Sequence, residues 1–224
     1  MTSKTIIHMK LPSLKSSRNG FTLIELITVI TIIALLFALV VGGMTFADRY
    51  SKRARTEVVM KATRSALERY SDEWGGYPTP RNPGVTVSVG KLVFNAGAAA
   101  CLYQAMSADG FDQIMGAKGK GVPSSDGDLD IFEAKSVVLK DMPKEMWLKN
   151  GQLYHLIDGF GHPIQYTKAV PLVTATGTPQ EAVTINNTYD IWSYGEDIKN
   201  TAATSIQSLK SPVQLDSQKW LKNW

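Results

Sequence analysis

The sequence predicts an α+β chain. It has a long N-terminal α-helix, part membrane-spanning and part amphipathic, packed on a small antiparallel β-sheet domain. Three features predict it. Residues 21–46 are almost wholly apolar and carry one charge, Glu25. Residues 47–74 set apolar side chains on one helical side and charges on the other. The last third alternates short β-branched and aromatic runs with turns rich in Gly and Pro. At 224 residues, with 44% hydrophobic and 20% charged side chains, the chain can bury a core and is neither disordered nor a bare coiled coil. One cysteine, Cys101, excludes an intrachain disulfide framework and a Cys-rich metal site, and three histidines leave little for a His-based centre.

The chain opens on a basic stretch. Residues 1–19 hold Lys4, Lys10, Lys15 and Arg18 and no acid. Without these four, the 24 Lys and Arg fall to 20, equal to the 20 Asp and Glu. The basicity therefore belongs to the N-terminus, and no nucleic-acid partner is expected.

As a helix, the 26 residues from Phe21 to Phe46 reach about 39 Å, enough to cross a hydrocarbon core of about 30 Å. A secretory signal would fit the basic start and a cut near Val41-Gly42-Gly43, but its apolar core would be shorter and free of acid. A plain anchor explains the length and the cytoplasmic side of the bases, yet not Glu25. A charge in a membrane helix costs on the order of 2–3 kcal/mol and normally has a partner. No base lies in the run, so the partner is expected from another subunit, the headgroups or a new chain terminus.

Gly20-Phe21-Thr22-Leu23-Ile24-Glu25-Leu26 resembles the processing site of type IV pilins and type II secretion pseudopilins. The resemblance implies cleavage between Gly20 and Phe21 by a prepilin peptidase and N-methylation of Phe21. Phe21 and Glu25 stand four apart on one helix face. The Phe21 amine of one subunit is thus expected to meet Glu25 of its neighbour in a filament core, setting register more than adding stability.

Further along, Ala54, Val58, Ala62, Ala66, Tyr70 and Trp74 recur at every fourth position, with Val59 and Leu67 beside them. This predicts a stripe facing the chain's own domain. Gly42-Gly43 is a weak point where the helix can bend. Trp74-Gly-Gly-Tyr-Pro-Thr-Pro80 ends the helix and resembles the G-x-Y-P-T turn of major pseudopilins. Residues 85–89 read as a strand, 96–106 as a short helix, and 116–130 as an exposed loop. Residues 153–157 and 164–168 predict a hairpin around Asp158–Gly161, and 189–193 another strand. Asp158-Gly-Phe-Gly-His-Pro-Ile-Gln-Tyr166 resembles the D-x-W-G-x-P-x-x-Y segment of major pseudopilins. Tyr189-Asp-Ile-Trp-Ser-Tyr-Gly195 resembles their F/Y-D-I/L-x-S-x-G strand. The resemblance covers residues 15–80 and 147–197.

Some pseudopilins bind calcium after the last motif, and the resemblance puts Ser193, Glu196 and Asp197 at matching positions. Lys199 and the lack of later acids argue against six to eight oxygen ligands there. Asp126-Gly-Asp128-Leu-Asp130 begins like an EF-hand, but Ile131 and Val137 break the pattern. Gly116-Ala-Lys-Gly-Lys-Gly121 fails the P-loop spacing at Val122. His155 and His162 flank a turn without a paired nucleophile and are expected to be exposed. The place of Trp220 and Trp224 is left open.

These readings divide the chain into a cleaved basic leader (1–20), a transmembrane and filament-core helix (21–46), its amphipathic half (47–74) and an extracytoplasmic globular domain (75–224). The resemblance implies a structural subunit of a periplasmic type II secretion pseudopilus rather than an enzyme, with no required cofactor. It would be single-pass in the bacterial inner membrane, N-terminus cytoplasmic and C-terminal domain periplasmic. Its partners would be copies of itself, a prepilin peptidase, the secretion assembly platform, minor pseudopilins and membrane lipid. The alternatives are a type IV pilus subunit, or a membrane-anchored extracytoplasmic binding protein.

Overall fold

A computed structural model of the chain describes residues 20–107, 113–115 and 142–224. The leader residues 1–19, the loop 116–130 and its EF-hand-like and Gly-Lys-Gly stretches lie outside the described residues. The chain divides into two units, Met1–Phe46 and Ala47–Trp224. Helix α1, Leu23–Trp74, contributes to both.

In the first unit every described residue is exposed. An 18-residue window of this apolar stretch reaches a mean hydropathy of 2.9, so the helix is long and apolar enough to cross a membrane. Its polar side chains are tied back to their own backbone. Thr28 and Thr31 donate to the carbonyls of Ile24 and Ile27, each at 2.8 Å, and Thr45 donates to that of Gly42 at 2.9 Å. Hydroxyls satisfied this way add little cost in a hydrocarbon setting.

In the second unit α1 buries Thr56, Val59, Met60, Thr63, Ala66, Leu67 and Tyr70. This corrects the expected stripe: Ala54 and Val58 are exposed, Val58 by 65%. A strict four-residue repeat drifts about 40° per step around a 3.6-residue helix, whereas steps alternating between three and four stay on one side. The two buried threonines again donate to carbonyls four residues back, those of Lys52 and Val59, both at 2.8 Å.

After α1 come β1 (Thr86–Val89), β2 (Leu92–Asn95), α2 (Gly97–Ser107), β3 (Trp147–Asn150), β4 (Leu153–Leu156), β5 (Gln165–Lys168), β6 (Tyr189–Ser193), the short α3 (Val213–Asp216) and β7 (Leu221–Lys222). They form three small antiparallel sheets, β1-β2, β3-β4 and β5-β6-β7. This is the α+β architecture expected. Helix α2 is buried from Gly97 to Met106. Its Ala98, Leu102 and Met106 meet Val59 and Leu67 of α1 and Leu156, Ile164, Tyr166 and Ile191 of the sheets in the main core. A second cluster gathers Phe94, Trp192, Tyr194 and Trp220, with Trp224 packed against it.

The strand pairing differs from the expected hairpin. β4 pairs with β3, joined by the two-residue turn Gly151-Gln152 with Gly151 at φ +61°, and β5 pairs with β6. Between β4 and β5 only the Ile157–Pro163 bridge and the bond from the Ile164 amide to the Leu156 carbonyl remain. Two causes split the strands. The Asp158 carboxylate folds residues 158–162 onto itself, and Pro163 has no amide with which to continue a ladder. The C-terminus is settled too: β7 pairs with β6, and Trp220 is buried.

Candidate functional site

Helix α1 starts at a local capping arrangement. The Thr22 amide and hydroxyl donate to Glu25 Oε2 at 2.8 and 2.7 Å, and the Glu25 amide donates to Thr22 Oγ1 at 3.3 Å. This is a capping box: the threonine hydroxyl and the glutamate carboxylate each satisfy an otherwise orphan donor at the helix start. It corrects the expectation that Glu25 finds a partner only outside its own helix. The signal was present in the sequence as T-x-x-E directly before an apolar run. The carboxylate remains fully exposed in the single chain, so a capped Glu25 is still open to a second contact. Gly20 and Phe21 precede the helix and are exposed, Phe21 by 84%.

The three C-terminal and turn segments singled out in the sequence meet on one side of the second unit. Glu68 of α1 accepts from the Tyr77 hydroxyl at 2.7 Å and the Tyr189 hydroxyl at 3.0 Å, one on each carboxylate oxygen. The Tyr77 and Tyr189 rings lie 4.7 Å apart. Tyr166 donates to the Pro78 carbonyl at 2.7 Å. The Tyr-Pro turn, the Asp158–Tyr166 segment and the Tyr189–Gly195 strand are thereby locked to α1. Burial, with Glu68 as acceptor, pushes the Tyr189 hydroxyl up to about 12, so it stays a donor.

Asp158 organises the second segment. Its Oδ1 accepts from the Phe160 and His162 amides, each at 2.8 Å, and its Oδ2 accepts from the buried Ser193 hydroxyl. Burial pushes the Asp158 carboxyl up, against the pull of Ser193, His162 and the two amides. Gly159 then touches α1: its amide donates to Thr56 Oγ1 at 3.0 Å, and a Cβ there would lie 2.2 Å from the Lys52 carbonyl oxygen. Only glycine fits so close an approach. His155 is 2% exposed, and burial lowers its pKa. His162 stacks on Phe94 at 4.6 Å. Both depart from the exposed turn residues expected, because the turn they flank is folded inward against α1.

The three calcium candidates use their oxygens on separate partners. Ser193 bonds Asp158 and accepts from the Gly195 amide at 2.9 Å. Glu196 points to Arg49, 4.0 Å away. Asp197 Oδ1 accepts from the Lys199 amide at 2.9 Å and the Asn200 amide at 3.3 Å. Its Oδ2 accepts from Asn200 Nδ2 and the Trp220 indole, both at 2.8 Å. Burial raises the Asp197 pKa, but these four donors outweigh it and hold the carboxyl below the usual range. Among the described residues no three His, Cys, Asp or Glu side chains gather as a metal site.

Residues 15–41 match the family model described as the prokaryotic N-terminal methylation motif. No curated protein and no solved structure matches the chain. The motif supports a type IV pilin-like prepilin. It implies processing by a prepilin peptidase and assembly into a filament, points to a structural subunit, and fits anchoring in the inner membrane. The capping box and most of the membrane-length helix fall within the matched residues.

Proposed function

We propose that this chain is a structural subunit of a periplasmic type II secretion pseudopilus. On this reading a peptidase cuts between Gly20 and Phe21. Residues 21–46 hold the subunit in the inner membrane, with the bases of the leader on the cytoplasmic side and residues 75–224 in the periplasm. The cut places a methylated amine on Phe21, four residues from an exposed Glu25. In the filament each Glu25 meets the Phe21 amine of a neighbour, so two charges that are costly apart enter the apolar core together. Growth of the filament from the membrane then drives protein export, powered from outside this chain.

The observation that carries the reading is the methylation motif over residues 15–41. Secretion is favoured over a pilus by the tie of the Tyr77-Pro78 turn, Tyr166 and Tyr189 to Glu68 and to one another. These are the three segments that resemble major pseudopilins. N-terminal mass analysis of membrane-extracted protein should find a chain beginning at methylated Phe21. A strain lacking the chain should lose export of secreted proteins and keep surface motility and adhesion. Loss of motility or adhesion with export intact would make it a pilus subunit instead.

A further inference from the structure

We propose that one end of the second unit, built from the first turns after Ala47 and from residues 196–219, docks on anionic phospholipid headgroups of the membrane that holds the chain. The proposal rests on the membrane-anchored reading above and adds a second contact with the bilayer. Three contacts fix which surface forms this end. Gly159 presses on the Lys52 carbonyl, Glu196 faces Arg49 at 4.0 Å, and Arg53 donates to the Lys219 carbonyl at 3.1 Å. Arg53 is six residues, about 9 Å of helix, from Ala47. Both ends of the 196–219 segment therefore lie where the unit joins the apolar stretch. Bonds from Asn200 to Asp216 at 3.3 Å and from Ser217 to the Ser208 carbonyl at 3.1 Å fold the rest beside them. Tyr50, exposed at the same level, is a residue type that favours the membrane–water boundary.

This end combines apolar and basic groups. Ile198, Leu209 and Leu215 are exposed on it, Leu215 by 76%. Residues 47–55 and 196–219 hold seven bases and four acids, whereas the rest of the second unit holds 13 bases and 15 acids. Of the four acids, Asp197 is buried and bonded to the Trp220 indole. A cleft of about 510 Å³ opens between Lys199 and Lys210, lined also by Asn200, Gln207 and Ser211 and, among the described residues, by no acid. Two amines beside amide and hydroxyl groups match a headgroup phosphate, and the neighbouring Leu and Ile side chains match the acyl boundary beneath it. A second exposed apolar group, Val170, Leu172, Val173 and Val183, differs on both counts. Residues 169–188 carry Glu181 and no base. They follow β5 and lead into Tyr189, which bonds Glu68, 15 residues or about 22 Å of helix beyond Arg53. An anionic surface attracts the first group and repels the second.

Fluorescent labels on the full-length chain in vesicles test this. Cys101 is buried, so Gln218→Cys and Ala175→Cys, both at exposed positions, each supply one reactive thiol. The vesicles carry a quencher on the lipid headgroup and consist of phosphatidylglycerol with phosphatidylcholine, or of phosphatidylcholine alone. Quenching at position 218 should be strong with phosphatidylglycerol, weak without it, and lost at high salt. Quenching at position 175 should stay weak throughout. Lys199→Glu combined with Lys219→Glu should lower the ratio of docked to free domains by about tenfold or more, since each base at an anionic surface is worth about fivefold. Quenching at 218 that ignores phosphatidylglycerol, survives the double reversal or merely equals that at 175 would overturn the docking and leave the membrane anchor in place. A full-length chain that does not float with the vesicles would overturn both.

Discussion

Glu25 performs two tasks that substitutions can separate. In the uncut chain its carboxylate accepts the Thr22 amide and hydroxyl at 2.8 and 2.7 Å and closes the start of α1. In the proposed filament it also neutralises the Phe21 amine of a neighbour. A glutamine keeps the acceptor that a capping box needs but carries no charge. Glu25→Gln should therefore be inserted, cut and methylated like the wild type. It leaves an unpaired buried cation in each subunit contact, a cost of roughly 3–5 kcal/mol, or at least a hundredfold in the assembly equilibrium. Thr22→Val is the converse. It removes the hydroxyl, whose loss costs about 0.5–2 kcal/mol, and keeps the charge. Its filament yield should fall by about thirtyfold at most. Processing is read by mass, and assembly by the yield of sheared filaments from a strain without wild-type subunits. Abundant Glu25→Gln filaments would refute the pairing. Wild-type yield from Glu25→Gln beside a loss in Thr22→Val would leave capping as the whole role of the residue.

Three further outcomes follow from the second unit, each measured on residues 47–224 produced without the apolar segment. Gly159→Ala forces a Cβ to 2.2 Å from the Lys52 carbonyl and breaks the Thr56 bond. The cost should be about 3 kcal/mol, seen as a Tm lower by about 6–12 °C; an unchanged Tm would show that the turn does not press on α1 in solution. Burial lowers the His155 pKa from 6.5, so between the folded value and 6.5 the unfolded chain binds more protons. Stability should be full above that range and fall as pH drops below about 6.5, and His155→Leu should remove this slope from the pH–Tm curve; an identical slope in the variant would count against it. Asp197 already has four donors on its two oxygens, so millimolar calcium should leave Tm unchanged, whereas a rise of more than about 3 °C would restore Ser193, Glu196 and Asp197 as a ligand set.

The features readable in the sequence are those whose causes lie close together along the chain. An apolar run of membrane length, a basic leader before it and the Gly20–Glu25 start announce the first unit residue by residue. The helix stop at Trp74-Gly75-Gly76, the strand at 86–89, the helix at 97–107 and the strand at 189–193 come from local backbone preferences, so they stand close to where the pattern puts them. Two local signals were present but unused: T-x-x-E at Thr22 and Asn150-Gly151 at the β3–β4 turn.

What required the tertiary structure involves partners distant in sequence. Which side of α1 is buried depends on where α2 and the sheets lie, and that selects Thr56 and Thr63 over Ala54 and Val58. The hairpin expected between 153–157 and 164–168 gives way because β6 offers β5 a longer ladder than β4 can across Pro163. His155 is buried because its turn is drawn onto α1 at Gly159, a contact made across 103 residues between Gly159 and Thr56. Local sequence decides which segments become helix or strand. The choice of partner among them is made by packing and by buried polar groups, which must find their hydrogen bonds wherever in the chain the matching atoms lie.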